Sequence, residues 1–553
     1  MEIGHFLRLC YHLAMADDLD IVSKAKLVNR NSLEQKIMDE ANRLDLPYFD
    51  LRETALSKEI LENFDSKDFF DYAVIPIKEE KGTLVIASPN PRSDKVNQFK
   101  KKYAKPFPKM TAGMISNESF EDNKDLLKSI VRVTPQEAAG EMDVTAMKVG
   151  EKSFEEFQKN LDQAPIQNLL KVVIVEGFAL NASDIHIEPA DEEAAIRFRM
   201  DGVLHKAGEL TKEKYKYLLS QVELRSGLKL NVNYPQNGRF KVKFDDKSEL
   251  AVRIEVMPSL YGSDIVIRIF NVEADFLNIN ELGIRDIQLP ILESALIRPH
   301  GMILVVGPTG AGKTTTIYSI LNKLNAPEIK LITLEDPIEY TLPGATQSQI
   351  NEGENFAGRL KAVLREDPDI IMLGEIRDAE TAKTALQAAI TGHLLITTLH
   401  ANDAVTAVPR IIGLVEDASS FLDAVNIIIA QRLVRKICTH CRKEYKPSDN
   451  EMAEINKIID NLPIEHKPKK PPEFFHGTGC DKCTNIGYKG RIGIYELLQV
   501  SPDFQRAVIE NSTLHELKEI AVRDGMLTME QDGFLKAIAG TVDIVEVLKV
   551  IKE

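Results

Sequence analysis

The second half of the chain shows short apolar runs separated by segments with helical spacing. The apolar runs lie at residues 303–306, 331–334, 370–373 and 394–399. Runs of this length are typical of buried strands, and helical segments between them indicate a parallel sheet covered by helices on both faces. Residues 276–553 are therefore predicted to form one α/β domain.

Two further modules are predicted before this domain. Residues 73–77 and 83–87 flank a charged, glycine-containing turn, which favours a β-hairpin after a helix at 31–44. A second helix at 166–180 is followed by β-rich segments at 185–187, 195–199 and 250–254. Between them, residues 136–153 are polar and lack periodicity, as a linker does. We thus expect an N-terminal regulatory or partner-docking domain with its linker at 1–150 and a middle α/β domain at 160–275.

A glycine-rich segment follows the first apolar run of the third domain. Residues 307–314 fit the pattern G-x-x-x-x-G-K-[ST] and lie between a predicted strand and a predicted helix. This context makes an accidental glycine-rich turn a poor alternative. The nitrogens of such a loop cradle phosphate oxygens, Lys313 would reach the β- and γ-phosphates, and the Thr314 hydroxyl would bind Mg²⁺. The predicted nucleotide-binding residues are Gly307, Pro308, Thr309, Gly310, Ala311, Gly312, Lys313, Thr314 and Thr315.

Carboxylates end two further predicted strands. Glu375 follows the run at 370–373, with Gly374 in the place where an aspartate often holds Mg²⁺. Glu335, Asp336 and Glu339 follow the run at 331–334. A solvated acidic turn is the alternative for the second group, but its place between the phosphate loop and the next strand favours binding of metal and orientation of water.

Polar residues also end the run at 394–399. That strand would carry Thr397, Thr398 and His400 to the same edge of the sheet. His393, before the strand, is equally compatible with a structural role and with a functional one.

The composition of the chain argues against direct binding of nucleic acid and against insertion into a membrane. The net charge of −15 and pI near 5.4 argue against a protein that binds nucleic acid through bulk charge, so no nucleic-acid partner is expected. No run approaches the ~20 apolar residues of a membrane span, and the first residues lack a basic-then-apolar export signal. We expect a cytoplasmic protein that reaches a membrane through its partners.

Four of the five cysteines form two C-x-x-C pairs. Cys438 and Cys441 are separated by 38 residues from Cys480 and Cys483, whereas Cys10 has no evident partner. Four thiolates in this pattern predict a structural Zn²⁺ site, and redox pairs are the competing interpretation. The segment between the pairs is polar and rich in proline, so we expect its fold to depend on the metal.

The motifs together resemble a known family. The phosphate loop and the segments at 335–339, 374–378 and 392–403 are similar, in order and spacing, to the Walker A, Asp box, Walker B and His box of secretion ATPases. The branch is that of type II secretion and type IV pilus assembly, whose pattern has glycine before the Walker B glutamate. The resemblance extends to residues 183–189, 199–204, 235–239 and 490–497, and so covers about 160–553. Residues 45–130 resemble the family's N-terminal domain more weakly.

This resemblance implies a multidomain α/β protein. It predicts a RecA-like P-loop NTPase motor domain with a zinc-binding insertion, preceded by an α/β (PAS-like) N-terminal domain and a smaller α/β module. It also implies catalytic roles for residues of the motor domain. Arginines of the middle domain would approach the triphosphate and have a catalytic role as well. The implied catalytic residues are Glu375, Glu335, Glu339, His400, Arg239, Arg253 and Arg268.

The resemblance further implies an ATP-hydrolysing hexameric motor of type IV pilus assembly. Such a motor drives an inner-membrane platform protein and lies peripheral to that membrane. A type II secretion ATPase is the alternative, and a nucleotide-binding scaffold or a DNA-transfer motor is less favoured. Some relatives bind a cyclic dinucleotide through N-terminal Arg-Leu-Gly-type repeats, and since none precedes Leu46 we predict no such regulation here.

Overall fold

The computed structural model describes residues 21–552, apart from 53, 55, 62, 125–126, 128–140, 145–152, 231, 245–248, 272–277 and 352. The chain divides into two compact units, one ending at Phe270 and one beginning at Asn271. The predicted start of the third domain, at 276, falls close to this division. Cys10 and most of the predicted linker at 136–153 lie outside the described residues.

The first module of the first unit is built on a three-stranded sheet. β1 (Ile75–Glu80) and β2 (Thr83–Ser88) form the predicted antiparallel hairpin, and β3 (Met110–Met114) adds to β2 in parallel. The predicted helix at 31–44 is part of a longer α1 (Ile21–Arg43). The shorter helices are α2 (Lys58–Leu61), α3 (Ser66–Tyr72), α4 (Asp94–Lys102) and α5 (Asn117–Asp122). The α/β character is as predicted, and the PAS-like description stays a prediction.

The second module of this unit has a seven-stranded sheet in the order β4-β8-β9-β10-β5-β6-β7. Its strands are β4 (Glu141–Asp143), β5 (Ala182–Pro189), β6 (Glu193–Met200), β7 (Val203–Thr211), β8 (Gln236–Lys243), β9 (Glu249–Ser259) and β10 (Gly262–Asn271). Its helices are α6 (Phe154–Gln163), α7 (Leu169–Ala179) and α8 (Lys212–Arg225). Strand β4 falls in the predicted linker and pairs with β8, so the linker region contributes to this sheet. The core of the first module includes Leu224 and Leu230, which join the two modules into one unit.

The second unit is a seven-stranded sheet flanked by helices. Its order is β13-β12-β14-β15-β11-β16-β19, with β19 antiparallel to β16 and the other neighbours parallel. The strands are β11 (Gly301–Val306), β12 (Leu331–Glu335), β13 (Thr346–Gln349), β14 (Ile370–Leu373), β15 (Leu394–Leu399), β16 (Val425–Ile437) and β19 (Tyr488–Leu498). The four predicted apolar runs are all strands of this sheet.

Helices cover both faces of this sheet. Successive residues of β11 alternate between two apolar clusters, with Leu304 and Val306 in one and Ile303 and Val305 in the other. This alternation explains the continuous apolar run, because both faces of the strand are buried. The helices are α9 (Leu289–Leu296), α10 (Lys313–Leu324), α11 (Phe356–Val363), α12 (Ala379–Ile390), α13 (Ala404–Val415), α14 (Ala418–Ala424), α16 (Pro502–Ile509), α17 (Leu514–Arg523), α18 (Met529–Ile538) and α19 (Ile544–Lys552).

The segment between the cysteine pairs is more structured than its composition suggested. It contains the antiparallel pair β17 (Arg442–Tyr445) and β18 (Phe474–Gly477) and the helix α15 (Asp449–Asp460). Ser448 and Glu451 form a capping box at the start of this helix. Ile455 and Ile458 belong to the main apolar cluster of the unit. Packing on this core, and not a metal alone, therefore holds the segment.

Candidate nucleotide and metal sites

The phosphate loop lies between β11 and α10, as the sequence predicts. Gly310 and Gly312 have φ angles of 78° and 85°, a left-handed conformation that favours glycine. Lys313 is the first residue of α10, and its Nζ donates hydrogen bonds to the carbonyl oxygens of Gly307 (2.9 Å) and Pro308 (3.0 Å). Burial lowers the pKa of Lys313, while the nearby Glu375 opposes that shift. A half-buried ammonium group at a helix N-terminus gives this loop the chemistry of a phosphate site.

A cavity of about 170 Å³ opens beside this loop. It is lined by residues that the sequence placed on four separate segments, namely Lys313, Thr314, Glu335, Glu339, Glu375 and His400. The strands that carry them, β12, β14, β15 and β11, are neighbours in the sheet. Parallel strands bring their carboxyl ends to the same edge, and these six residues therefore meet there, whereas Gly307 to Gly312 and Thr315 do not line the cavity.

The two strand-end glutamates differ in their surroundings. The Glu335 carboxylate accepts hydrogen bonds from the Tyr318 hydroxyl (2.6 Å), the Thr333 hydroxyl (2.7 Å) and the Gln347 amide (3.2 Å). Glu335 is 3% exposed, so these three donors replace water around both carboxylate oxygens. The Glu335 side chain is consequently held in one orientation at the inner wall of the cavity.

Glu375 instead lies beside two exposed side chains, those of Arg377 and His400. One oxygen forms an ion pair with Arg377, and the other lies 3.6 Å from His400 Nε2. Arg377 also approaches Asp336 at 3.8 Å. Side chains on this side of the cavity can rearrange, because Arg377 is 60% exposed and surface ion pairs are weak.

His400 lies immediately after β15 and faces the same cavity. Burial and the charge of Lys313 lower the pKa of His400, so the ring is neutral at pH 7. Thr398 donates its hydroxyl to the Gly374 carbonyl (2.7 Å) and joins the ends of β15 and β14. His393 has a structural position, with Nδ1 3.0 Å from the Ala388 carbonyl at the end of α12.

The three predicted arginines belong to the sheet of the first unit. Arg239 on β8 pairs directly opposite Arg253 on β9. Arg268 on β10 lies opposite Asp184 on β5 and forms an ion pair with it at 3.0 Å. Each of these arginines alternates with residues of the buried core, so they lie on the face of the sheet away from that core.

The four predicted metal ligands form one cluster. Their sulfur atoms all lie within 4.8 Å of one another, and three of the pairs are 3.8–3.9 Å apart. A tetrahedral Zn²⁺ site with bonds of about 2.3 Å requires sulfur separations of about 3.8 Å, whereas a disulfide requires about 2.05 Å. Cys438, Cys441, Cys480 and Cys483 therefore fit a closed zinc site.

Sequence motifs did not identify the residues that support the nucleotide cavity. Gln431 on β16 donates its amide to the Ala311 carbonyl of the phosphate loop (2.6 Å). Tyr318, Thr333 and Gln347 hold Glu335. Gln431 lies 120 positions from Ala311, so local spacing carries no signal of that contact.

Comparison with known proteins points to one protein family. Residues 159–549 match the family described as Type II/IV secretion system protein, and residues 44–107 match the MshEN domain. The chain is 38% identical to the type IV pilus assembly ATPase PilB of Thermus thermophilus over 391 residues, which are 70% of this chain and 43% of that protein. It is 35% identical to the type II secretion system protein E of Pseudomonas aeruginosa over 421 residues, which are 76% of this chain and 82% of that protein.

A solved structure supports the fold. The Yersinia pseudotuberculosis ATPase DotB aligns with a TM-score of 0.52 at 21% identity, covering 70% of this chain and 96% of that one. This likeness agrees with the predicted RecA-like arrangement, and the named relatives confirm the predicted secretion-type ATPase. Since the family match includes the phosphate loop, the carboxylate strands and the cysteine cluster, the chain belongs to the Type II/IV secretion system protein family.

Proposed function

We propose that this chain is the ATP-hydrolysing motor of type IV pilus assembly, acting as a hexamer on an inner-membrane platform protein. The observation that carries the proposal is the single cavity where Lys313, Thr314, Glu335, Glu375 and His400 meet. Relatives named for pilus assembly and for type II secretion match at similar identity, so a type II secretion ATPase is the alternative. No described helix has the length and apolar character of a membrane span. We place the protein in the cytoplasm, peripheral to the inner membrane through its partner.

The predicted nucleotide-binding and metal-binding residues have separate roles in this proposal. Residues 307–315 bind the phosphates of ATP, and Lys313 exchanges its two loop carbonyls for phosphate oxygens. Thr314 and nearby carboxylates hold Mg²⁺, which offsets negative charge on the phosphates when it is bound. The cysteine cluster holds Zn²⁺ in a structural role.

Glu375 is the better candidate for orienting the attacking water. Both oxygens of Glu335 are engaged by buried donors, whereas the Glu375 side chain is 20% exposed and has exposed partners. Glu335 and Glu339 then shape the metal side of the cavity, and His400 stays neutral beside Glu375. The arginines of the middle domain offset charge on the γ-phosphoryl group.

Mg²⁺-dependent ATP hydrolysis, measured against protein concentration, tests this assignment. Wild-type specific activity should rise with concentration as rings form. Glu375→Gln should lower turnover by about 100-fold or more while ATP binding is retained, because only the hydrolytic step loses its carboxylate.

The control is Glu380→Gln, an exposed carboxylate on α12 that pairs with Lys361 away from the cavity. Wild-type turnover in Glu375→Gln would exclude the proposed role of Glu375. ATP binding without hydrolysis by wild type, even with the platform protein added, would instead favour a scaffold. Loss of surface pili with intact secretion of exoproteins in a deletion strain would separate pilus assembly from type II secretion.

A further inference from the structure

Thr398, near the end of β15, contacts the chain on both sides of Glu375. Its hydroxyl donates to the Gly374 carbonyl (2.7 Å), and its own carbonyl accepts a hydrogen bond from Ile376 N (3.0 Å). Gly374 is also held by β12 on the other side, because its N–H donates to the Leu334 carbonyl (2.8 Å). The main chain at Glu375 is therefore joined to β15 through both of its neighbouring residues.

The side-chain contacts of Glu375 do not fix its direction. Its two partners are Arg377 and His400, whose side chains are 60% and 46% exposed. Glu335, by contrast, has buried donors to both carboxylate oxygens. Since exposed ion pairs contribute little, the direction of the Glu375 side chain depends mainly on the main chain that carries it.

The Thr398 hydroxyl belongs to the wall of the nucleotide cavity. Thr398 and Gly374 both line this cavity, and Thr398 is 7% exposed. A hydroxyl group has one proton to donate and two lone pairs that accept. Because the proton is directed to Gly374, the oxygen can accept a hydrogen bond from a bound water but cannot donate one to a phosphate oxygen at the same time.

We propose that Thr398 is a positioning residue for Glu375. Its hydroxyl and its carbonyl fix the main chain around Glu375, so that the carboxylate keeps its direction toward the attacking water. This inference rests on the proposed role of Glu375 in ATP hydrolysis. The Thr398 hydroxyl should consequently affect the rate of hydrolysis and not the affinity for ATP.

The preceding residue of the same strand provides a matched control. Thr397 is fully buried and is not among the residues that line the cavity. Its hydroxyl has no hydrogen-bond partner in the part of the chain that the structure describes. Successive residues of β15 alternate between faces, so Thr397 shares the apolar cluster of Leu395 and Leu399. Thr397→Val therefore removes a hydroxyl from β15 without removing a hydrogen bond.

The test is steady-state ATP hydrolysis by the full chain carrying Thr398→Val, Thr398→Ser or Thr397→Val. Thr398→Val should lower kcat about tenfold and leave KM within about twofold of wild type, because only the orientation of the carboxylate changes. Thr398→Ser keeps the hydroxyl and should restore most of kcat. Thr397→Val should match wild type in both constants, and melting temperatures should show that the variants are folded.

Combination with Glu375→Gln separates a positioning role from a structural one. Two residues that act through the same group do not have additive effects. Thr398→Val should therefore cause no further loss of the single-turnover rate when Glu375 is already replaced by glutamine.

Three results would overturn the inference. Wild-type kcat in Thr398→Val would show that Glu375 does not need the hydroxyl. A raised KM with unchanged kcat would show that the hydroxyl binds the nucleotide instead. An equal further loss in the Glu375→Gln background would show that Thr398 acts independently of that carboxylate. The proposed role of Glu375 is decided separately, by the turnover of Glu375→Gln alone.

A milder variant covers the case in which Thr398→Val does not fold. Thr398→Cys replaces the hydroxyl by a thiol, which is a weaker hydrogen-bond donor. Its kcat should lie below that of Thr398→Ser at unchanged KM. Equal kcat values for the cysteine and serine variants would contradict the positioning role.

Discussion

Glu335 and Glu375 have the same side chain and lie at the ends of adjacent strands, but their surroundings differ. They end the adjacent strands β12 and β14 and were predicted together from the acidic strand ends. One is enclosed by Tyr318, Thr333 and Gln347, and the other is paired with Arg377 near solvent. The motif identifies which carboxylates reach the cavity, but their distinct environments come from residues that no motif includes.

Removal of the Tyr318 hydroxyl tests the enclosure of Glu335. Tyr318→Phe leaves one buried carboxylate oxygen without its 2.6 Å donor. Since hydrogen bonds to charged groups contribute about 1.5–3 kcal/mol, the free energy of unfolding of the motor unit should fall by about 2 kcal/mol. Hydrolysis should also slow, because the carboxylate gains rotational freedom. Denaturant unfolding and kcat are the measurements.

Ser319→Ala is the matched control for that change. Its hydroxyl donates to the Thr315 carbonyl on the same helix and does not touch Glu335. Equal losses of stability in the two variants would show that the Tyr318 hydroxyl contributes no more than a buried hydroxyl that bonds only within its own helix.

Apolar strands were predictable as elements, whereas polar ones were not. The runs at 303–306 and 331–334 are strands because both of their faces are buried. Strand β13 has the sequence Thr-Gln-Ser-Gln at the sheet edge, where pairing with β12 rather than hydrophobic burial forms it. Helix α8 is a second case, because its C-terminal half buries Ser220, Gln221, Glu223 and Arg225. Polar side chains in a buried helix follow from the packing of two modules, which a local pattern does not reveal.

Glu223 on α8 gives the first unit a dependence on pH. Burial raises the pKa of Glu223 from 4.5 to about 8. The stability that this group contributes is fully present below its unfolded-state pKa of about 4.5 and is lost progressively as pH rises to about 8, because over that range the unfolded state releases a proton that the folded state retains. Glu223→Gln cannot ionise, so its free energy of unfolding should exceed that of wild type by an amount that grows to a few kcal/mol between about pH 5 and 8.

The control is Glu213→Gln in the first turn of the same helix, where the side chain is exposed. Its unfolding free energy should follow wild type at every pH. Parallel curves for wild type and Glu223→Gln across that pH range would contradict a raised pKa at Glu223.

At the scale of the whole molecule, segments on both sides of the cysteine cluster contact the last helix, α19. Tyr488, shortly after Cys483, donates to Asp543 at the start of α19 (2.8 Å), and Arg435 forms a bidentate pair with Glu546 (2.6 and 2.7 Å). The arrangement of four cysteines was predictable from spacing. The contacts of Tyr488 and Arg435 with the last helix were not predictable, because they join segments more than 50 residues apart.

Removal of zinc should therefore affect more than the insertion. Metal analysis should find one Zn²⁺ per chain, and a strong chelator or Cys438→Ser should lower the melting temperature. Hydrogen exchange should increase in β17, β18 and α19, while α15 is partly protected because Ile455 and Ile458 pack on the main core.

Cys10→Ser, the change of the cysteine outside the pairs, is the comparison variant. A chain that contains no zinc, or a Cys438→Ser variant with unchanged exchange in α19, would show that the cluster does not anchor these helices.

Strand β19 adds a connection between the nucleotide edge and the C-terminus. The buried carboxylate of Glu496 accepts one hydrogen bond from Ala404 N (3.0 Å), at the start of α13, and one from Met529 N (3.2 Å), at the start of α18. Helix α13 begins four residues after His400. Deletion of α18 would remove Met529 N, so one buried oxygen of Glu496 would lose its donor. The same carboxylate binds the start of α13, the helix that follows the cavity. The C-terminal helices are thus part of the frame of the ATPase site, and a shortened motor domain that omits them should not be taken as a working core.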